Sequence, residues 1–182
     1  MWLTIVLVAA GVLLLAAIAI FNRLITQRNR VDNAWSQVDV QLRRRYDLIP
    51  NLVETVKGYA AHERQTFEDV VAARAAAEAA DGIDQQAAAE GVLGSMLGRL
   101  FALAEEYPDL RSSENFQRLQ ADLSEAEDKI AVARQIYNDT VLTYNNTTQT
   151  IPTNVVAALA GFKSREFFEI ADDARGAPEV SF

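Results

Sequence analysis

The sequence predicts an all-α fold: an N-terminal transmembrane helix, then an antiparallel up-and-down four-helix bundle with a short C-terminal helix and an extended tail. Three observations carry that prediction. Residues 2–21 contain no charge. From Val31 to Tyr144 apolar residues return at steps of three and four, the signature of one helix face turned to a core. Only 8 glycines and 4 prolines interrupt 182 residues, while alanine, leucine, valine and glutamate abound. The expected organisation is an anchor over residues 1–22, a bundle over 23–147 and a helix and tail over 148–182 packed on that bundle.

The uncharged run holds 20 residues. At ~1.5 Å each it spans the ~30 Å hydrocarbon core of a bilayer. Trp2 and Phe21 stand at its ends, where aromatic side chains favour the membrane interface. A cleaved signal peptide would want a basic leader and a shorter apolar core, and neither is present. A buried core helix would need a larger domain to cover it. Arg23, Arg28 and Arg30 follow the run, with no basic side chain before it. The positive-inside rule then places the N-terminus outside and the soluble domain in the cytoplasm, anchored to lipid by a single pass. Solvation of a helix leaving the bilayer, or attraction to anionic headgroups, favours the same three arginines.

Past the anchor, Val31, Trp35, Val38, Leu42 and Ile49 share one face, with Arg45 in the same stripe between the last two. Pro50 follows. Proline suits a first helical turn and clashes inside a helix, so residues 47–51 are expected to form a helix-helix turn capped by Asp47. The alternative is a kink in one longer helix. A second helix carries Leu52, Val56, Tyr59, Thr66, Val70, Ala73 and Ala77, with Phe67 beside them, and Asp81-Gly82 ends it. Glu63, between Tyr59 and Thr66, would want a cationic partner. Leu93, Met96, Leu97, Leu100, Phe101 and Ala104 stripe a third helix, from about Asp84 to Tyr107. Phe116, Leu119, Leu123, Ala126, Ile130, Ala133, Tyr137, Thr140 and Tyr144 give a fourth, whose long regular repeat suits rods packed at about 20°. Pro152 opens a short helix that Gly161 closes. The large apolar groups beyond it, Phe162 to Phe182, are expected to cover apolar surface on the bundle.

Chemistry is hard to place on this chain. There is no cysteine, which excludes disulfides and thiolate sites. His62-Glu63 lacks the second histidine of a zinc helix, Thr66 standing in its place, and His62 is the only histidine. Tyr59, three residues before it, rules out the Glu-x-x-His of a di-iron bundle. Gly91, Gly94 and Gly98 match no phosphate loop and instead would let a helix approach closely. No cofactor, metal or catalytic residue is therefore expected. With the three juxtamembrane arginines set aside, 25 acidic residues face 14 basic ones, a net of −11. That charge opposes nucleic-acid binding. The Arg43-Arg44-Arg45 run is a candidate for contact with an anionic partner. The plainer account is a helix C-terminus neutralised by cations.

The stretch Arg-Arg-Arg-Tyr-Asp-Leu-Ile-Pro-Asn-Leu-Val-Glu-Thr-Val-Lys-Gly-Tyr-Ala-Ala-His-Glu over residues 43–63 resembles the LemA family of bacterial membrane-anchored proteins. So do Ala72-Ala73-Arg74, Tyr107-Pro108-Asp109-Leu110, Asn115-Phe116, Ile130-Ala131-Val132-Ala133-Arg134, Tyr144-Asn145 and the closing Pro178-Glu179-Val180-Ser181-Phe182. The resemblance implies a bacterial inner-membrane protein with one membrane helix and a helical bundle, and it implies no catalytic residues. The expected function is a non-enzymatic interaction module, an adaptor or regulator of another membrane or envelope protein. A hydrolase or metal-dependent enzyme with a carboxylate site, and a purely structural homo-oligomer, are the alternatives.

Overall fold

The computed structural model describes residues 1–170, and all its regular structure is helical. The elements are α1 (Trp2–Lys57), α2 (Arg64–Glu78), α3 (Ile83–Glu105), α4 (Pro108–Arg111), α5 (Glu114–Gln149) and α6 (Thr153–Leu159). Val180 and Phe182, expected to cover the bundle, lie outside the described residues.

Helix α1 corrects the expectation at Pro50. The helix runs through that proline and ends only at Lys57. The chain turns instead over residues 58–63, where the amides of Tyr59 and Ala60 both bond the Val56 carbonyl (3.0 and 2.9 Å). Pro50 costs one backbone hydrogen bond, but Ile49, Leu52, Val53 and Val56 around it are all buried. Each such side chain stabilises the helical register by roughly 1.5–3 kcal/mol, which outweighs the ~3 kcal/mol of an interior proline. Tyr59, expected in the core, is consequently exposed in the turn. Glu63 precedes α2 rather than sitting within a helix, so its side chain is not held in the stripe.

The chain forms two compact units. The first joins residues 1–38 with 132–167. Its core is Leu24, Val31, Ala34 and Val38 of α1 with Ala133, Tyr137, Val141 and Tyr144 of α5. The Trp35 and Tyr137 rings meet edge to face at 5.3 Å. Helix α6 ends as expected at Gly161, whose φ of +74° is open to glycine. The Phe162 amide returns to the Ala157 carbonyl at 2.9 Å, completing a Schellman closure. The segment that follows is strapped along α5 by its backbone. The Lys163 carbonyl accepts from Tyr144 Oη (3.0 Å) and the Glu166 carbonyl from Tyr137 Oη (2.9 Å). Asn145 holds both backbone groups of Arg165, donating to its carbonyl (2.9 Å) and accepting from its amide (2.8 Å). The Arg165 guanidinium closes the strap on Asp32 at 2.5 Å.

The second unit joins residues 39–131 with, among those described, 168–170. Its core takes Leu42, Ile49, Leu52, Val53 and Val56 from α1, Phe67, Val70, Ala73 and Ala77 from α2, Leu93, Leu97, Leu100 and Ala104 from α3, and Phe116, Leu119, Leu123, Ala126 and Ile130 from α5. Gly82 opens α3 with φ +92°, the glycine break expected between the second and third helices.

Candidate functional site

Two charged side chains in the second unit lie on apolar stripes and are buried. Arg45 follows Leu42 on α1, and Glu90 precedes Leu93 on α3. Their side chains are 4% and 0% exposed, and they form an ion pair through Nη2 and Oε2. A second guanidinium nitrogen, Nη1, reaches Glu127 of α5 at 2.5 Å. Tyr46 Oη donates to Glu90 Oε1. Gln86 Nε2 stands 2.9 Å from both Tyr46 Oη and Glu90 Oε1, and 3.1 Å from the Ala77 carbonyl at the end of α2. Burial pushes the Tyr46 phenol above its ordinary value, with Arg45 and the Gln86 hydrogen bond opposing.

One turn further on, Arg74 of α2 donates Nε–H to the Tyr46 carbonyl at 2.8 Å. That carbonyl would bond the amide of residue 50 in an ordinary helix, and Pro50 has no amide. Arg74 also pairs with Glu78 at 2.8 Å. The conjunction of Arg45, Tyr46, Arg74, Gln86 and Glu90 thus ties α1, α2 and α3 together across the proline.

The Arg43-Arg44-Arg45 run does not form one basic patch. Arg43 pairs with Asp39 at 3.0 Å, Arg44 with Glu125 at 3.4 Å, and Arg45 turns inward. Each guanidinium therefore meets a carboxylate of this chain. Of the residues expected at a membrane interface, Trp2 is 81% exposed at the start of α1. Phe21 packs edge to face on Phe162 at 5.7 Å, and Arg28 lies 5.7 Å over the same Phe162 ring. Arg23 is exposed, and Arg30 lines a cavity with Gln27 and residues of α5.

Among the described residues no three histidines, cysteines or acids are grouped so as to hold a metal ion. Among the described residues two helices are long and apolar enough to cross a membrane. The N-terminal stretch of α1 has none of its apolar window buried, whereas α3 has 39% of its own buried.

Sequence reasoning placed Arg45 in the α1 stripe but passed over Glu90. The signal was available. A carboxylate at the core position of one helix and a guanidinium at that of another predict each other, because neither can be buried alone.

Regular structure that is all helical among the described residues, led by an unburied apolar segment and with buried charges that brace its helices, defines an all-helical protein with an N-terminal apolar helix. More particularly, this chain belongs to the LemA family, whose sequence model matches residues 34–182. It is 29% identical over 175 residues to magnetosome protein MamQ 1 of Paramagnetospirillum magneticum, covering 82% of this chain and 64% of that protein. Magnetosome protein MamQ of Magnetospirillum gryphiswaldense is 27% identical over 174 residues, with 81% and 64% covered. Protein LemA of Metamycoplasma hominis is 25% identical over 156 residues, with 85% and 71% covered. The chain therefore spans about 64% of the length of the magnetosome relatives it matches.

Proposed function

We propose that this protein is a membrane-tethered, non-enzymatic helical interaction module, an adaptor or regulator of another membrane or envelope protein in the bacterial inner membrane. The observation that carries the reading is α1 itself. One uninterrupted helix holds an unburied, uncharged stretch at its start and the core side chains of a packed unit at its end. Helical hydrogen bonding through residues 2–38, within the first unit, makes that stretch a stiff rod. In this reading residues 2–21 cross the bilayer once, with the N-terminus outside and the packed helices in the cytoplasm.

The second unit acts as an antiparallel four-helix bundle of α1, α2, α3 and α5. Contacts in support run in opposite senses along α1 and α5: Arg44 meets Glu125, and Thr55 meets Asn115 further along α1 but earlier on α5. The pairing of Arg43, Arg44 and Arg45 with internal carboxylates supports a bracing role for them and leaves partner contact to other surfaces.

Cross-linking in native membranes followed by mass spectrometry tests the reading. Links to a second membrane or envelope protein are expected. Self-links alone would replace the adaptor with a structural oligomer. A thermal-shift scan against divalent metals is expected to show no stoichiometric binding, and a clear one-to-one metal would restore an enzymatic reading.

A further inference from the structure

In the first unit, Gln27, Arg30, Ile136, Asp139, Thr140 and Thr143 line a cavity of about 280 Å³ between α1 and α5. Gln27 lies on the α1 core stripe between Leu24 and Val31 and is only 8% exposed. Its amide oxygen Oε1 is buried with no hydrogen-bond donor among the described residues. A buried acceptor without a donor costs about 1–3 kcal/mol, so it marks a place for one. The α5 wall offers more acceptors. The Thr140 and Thr143 hydroxyls donate to the carbonyls of Ile136 (2.7 Å) and Asp139 (2.9 Å) within their own helix, which leaves their oxygens free to accept. Asp139 adds a carboxylate and Arg30 the one cation in the lining, and no ion pair joins them among the described residues.

We propose that this cavity binds a phosphoethanolamine group, presented by a membrane lipid. The inference rests on the membrane-tethered reading for that source and on the cavity for the chemistry. An ammonium bearing N–H donors matches Gln27 Oε1, Asp139 and the threonine oxygens, and the phosphate matches the Arg30 guanidinium. A phosphocholine headgroup has the charges but no N–H for Gln27. A phosphoglycerol headgroup has donors but no cation for Asp139. The volume lies just below the ~300–1,000 Å³ of small-molecule sites and suits a headgroup rather than a larger ligand. Position agrees. Gln27 is six residues past Phe21, about 9 Å along α1, and helical side chains lean toward the helix N-terminus, here toward the bilayer.

The test uses the full-length protein in vesicles of equimolar phosphatidylethanolamine and phosphatidylcholine, with retained lipid counted by native mass spectrometry after mild detergent extraction. Phosphatidylethanolamine is expected to be retained about tenfold over phosphatidylcholine, a difference of ~1.4 kcal/mol. Arg30→Gln, Asp139→Asn and Gln27→Met should each abolish that preference. Arg30 and Asp139 are exposed, so their variants are expected to keep the helical circular dichroism of the parent. Equal retention of both lipids, or a preference that survives all three substitutions in folded protein, overturns the site. A second arm titrates soluble glycerophosphoethanolamine into the detergent-solubilised protein. Binding as tight as that of the lipid would support the phosphoethanolamine chemistry and overturn the lipid source. Carbonate washing separates the two readings. Protein kept in the membrane without lipid preference loses only the site. Protein shed by carbonate that still binds glycerophosphoethanolamine keeps the site and loses the tether.

Discussion

The Nε–H of Arg74 lies 2.8 Å from the carbonyl oxygen of Tyr46, the acceptor that Pro50 deprives of its helical donor. A side chain from α2 thus replaces the backbone bond that α1 lacks. Loss of Arg74 should cost more with proline at position 50 than with alanine there. Arg74→Met is expected to destabilise by about 1.5–3 kcal/mol, the range for a hydrogen bond from a charged donor. In a Pro50→Ala background the residue-50 amide takes the carbonyl, and the cost should fall by about 1 kcal/mol. Thermal unfolding of the four proteins of this double-mutant cycle, followed by circular dichroism in detergent, measures the coupling. Additive losses would show that Arg74 acts only through Glu78.

Arg45 and Glu90 should behave as one unit. Arg45→Met alone leaves the Glu90 carboxylate buried without its cation, and Glu90→Leu alone leaves the buried guanidinium with only Glu127. Each is expected to cost about 3–5 kcal/mol. The double variant removes both charges and should recover most of that loss. Denaturation midpoints of the three variants decide it, and a double variant as unstable as either single would refute the pairing.

Asn145 closes the strap that carries residues 163–166 along α5. Asn145→Leu leaves the Arg165 amide and carbonyl without their partner and should cost about 1–3 kcal/mol. Limited proteolysis should then cut near Arg165 much faster than in the parent, while α2 and α3 resist as before. Unchanged cleavage would mean that the Tyr137 and Tyr144 bonds and the Arg165–Asp32 pair hold the strap without Asn145.

Alkaline pH should loosen both units. Burial raises the phenols of Tyr46, Tyr137 and Tyr144 above their ordinary value of 10.0. A group raised by folding contributes its stability in full below its unfolded pKa and loses it as pH climbs through the folded value. Stability should therefore hold to about pH 10 with respect to these groups and fall above it. Spectrophotometric titration should find three tyrosines ionising late, together with the loss of helicity. Tyr137→Phe should remove one late titration and about 1 kcal/mol through its bond to Glu166.

Much of the architecture was legible as spacing. Val31, Val38, Leu42 and Ile49 of α1, and Phe116 to Tyr144 of α5, were expected on core faces and are buried there, apart from the partly exposed Thr140. Gly82 and Gly161 were expected as helix ends and supply the positive φ values found at them. Pro50 misled because its local penalty is visible in one residue, whereas the burial and the Arg74 donor that offset it come from elsewhere in the fold. Glu90 and Gln27 were missed because the α3 and α1 stripes were counted from their first recognised apolar members, Leu93 and Val31, and each polar residue stands one helical step before them.

What the amino-acid order by itself determined is periodic: an uncharged run, apolar stripes at helical spacing, glycine breaks, and a charge balance hostile to nucleic acid. Those properties need no partner residue to be recognised. Only the tertiary structure decided where α1 stops, that Arg45 faces inward while Arg43 and Arg44 do not, and that Gln27 lines a cavity with Arg30 and Asp139. Each of those outcomes depends on which distant side chain arrives to satisfy a buried polar group, and helical spacing carries no information about that.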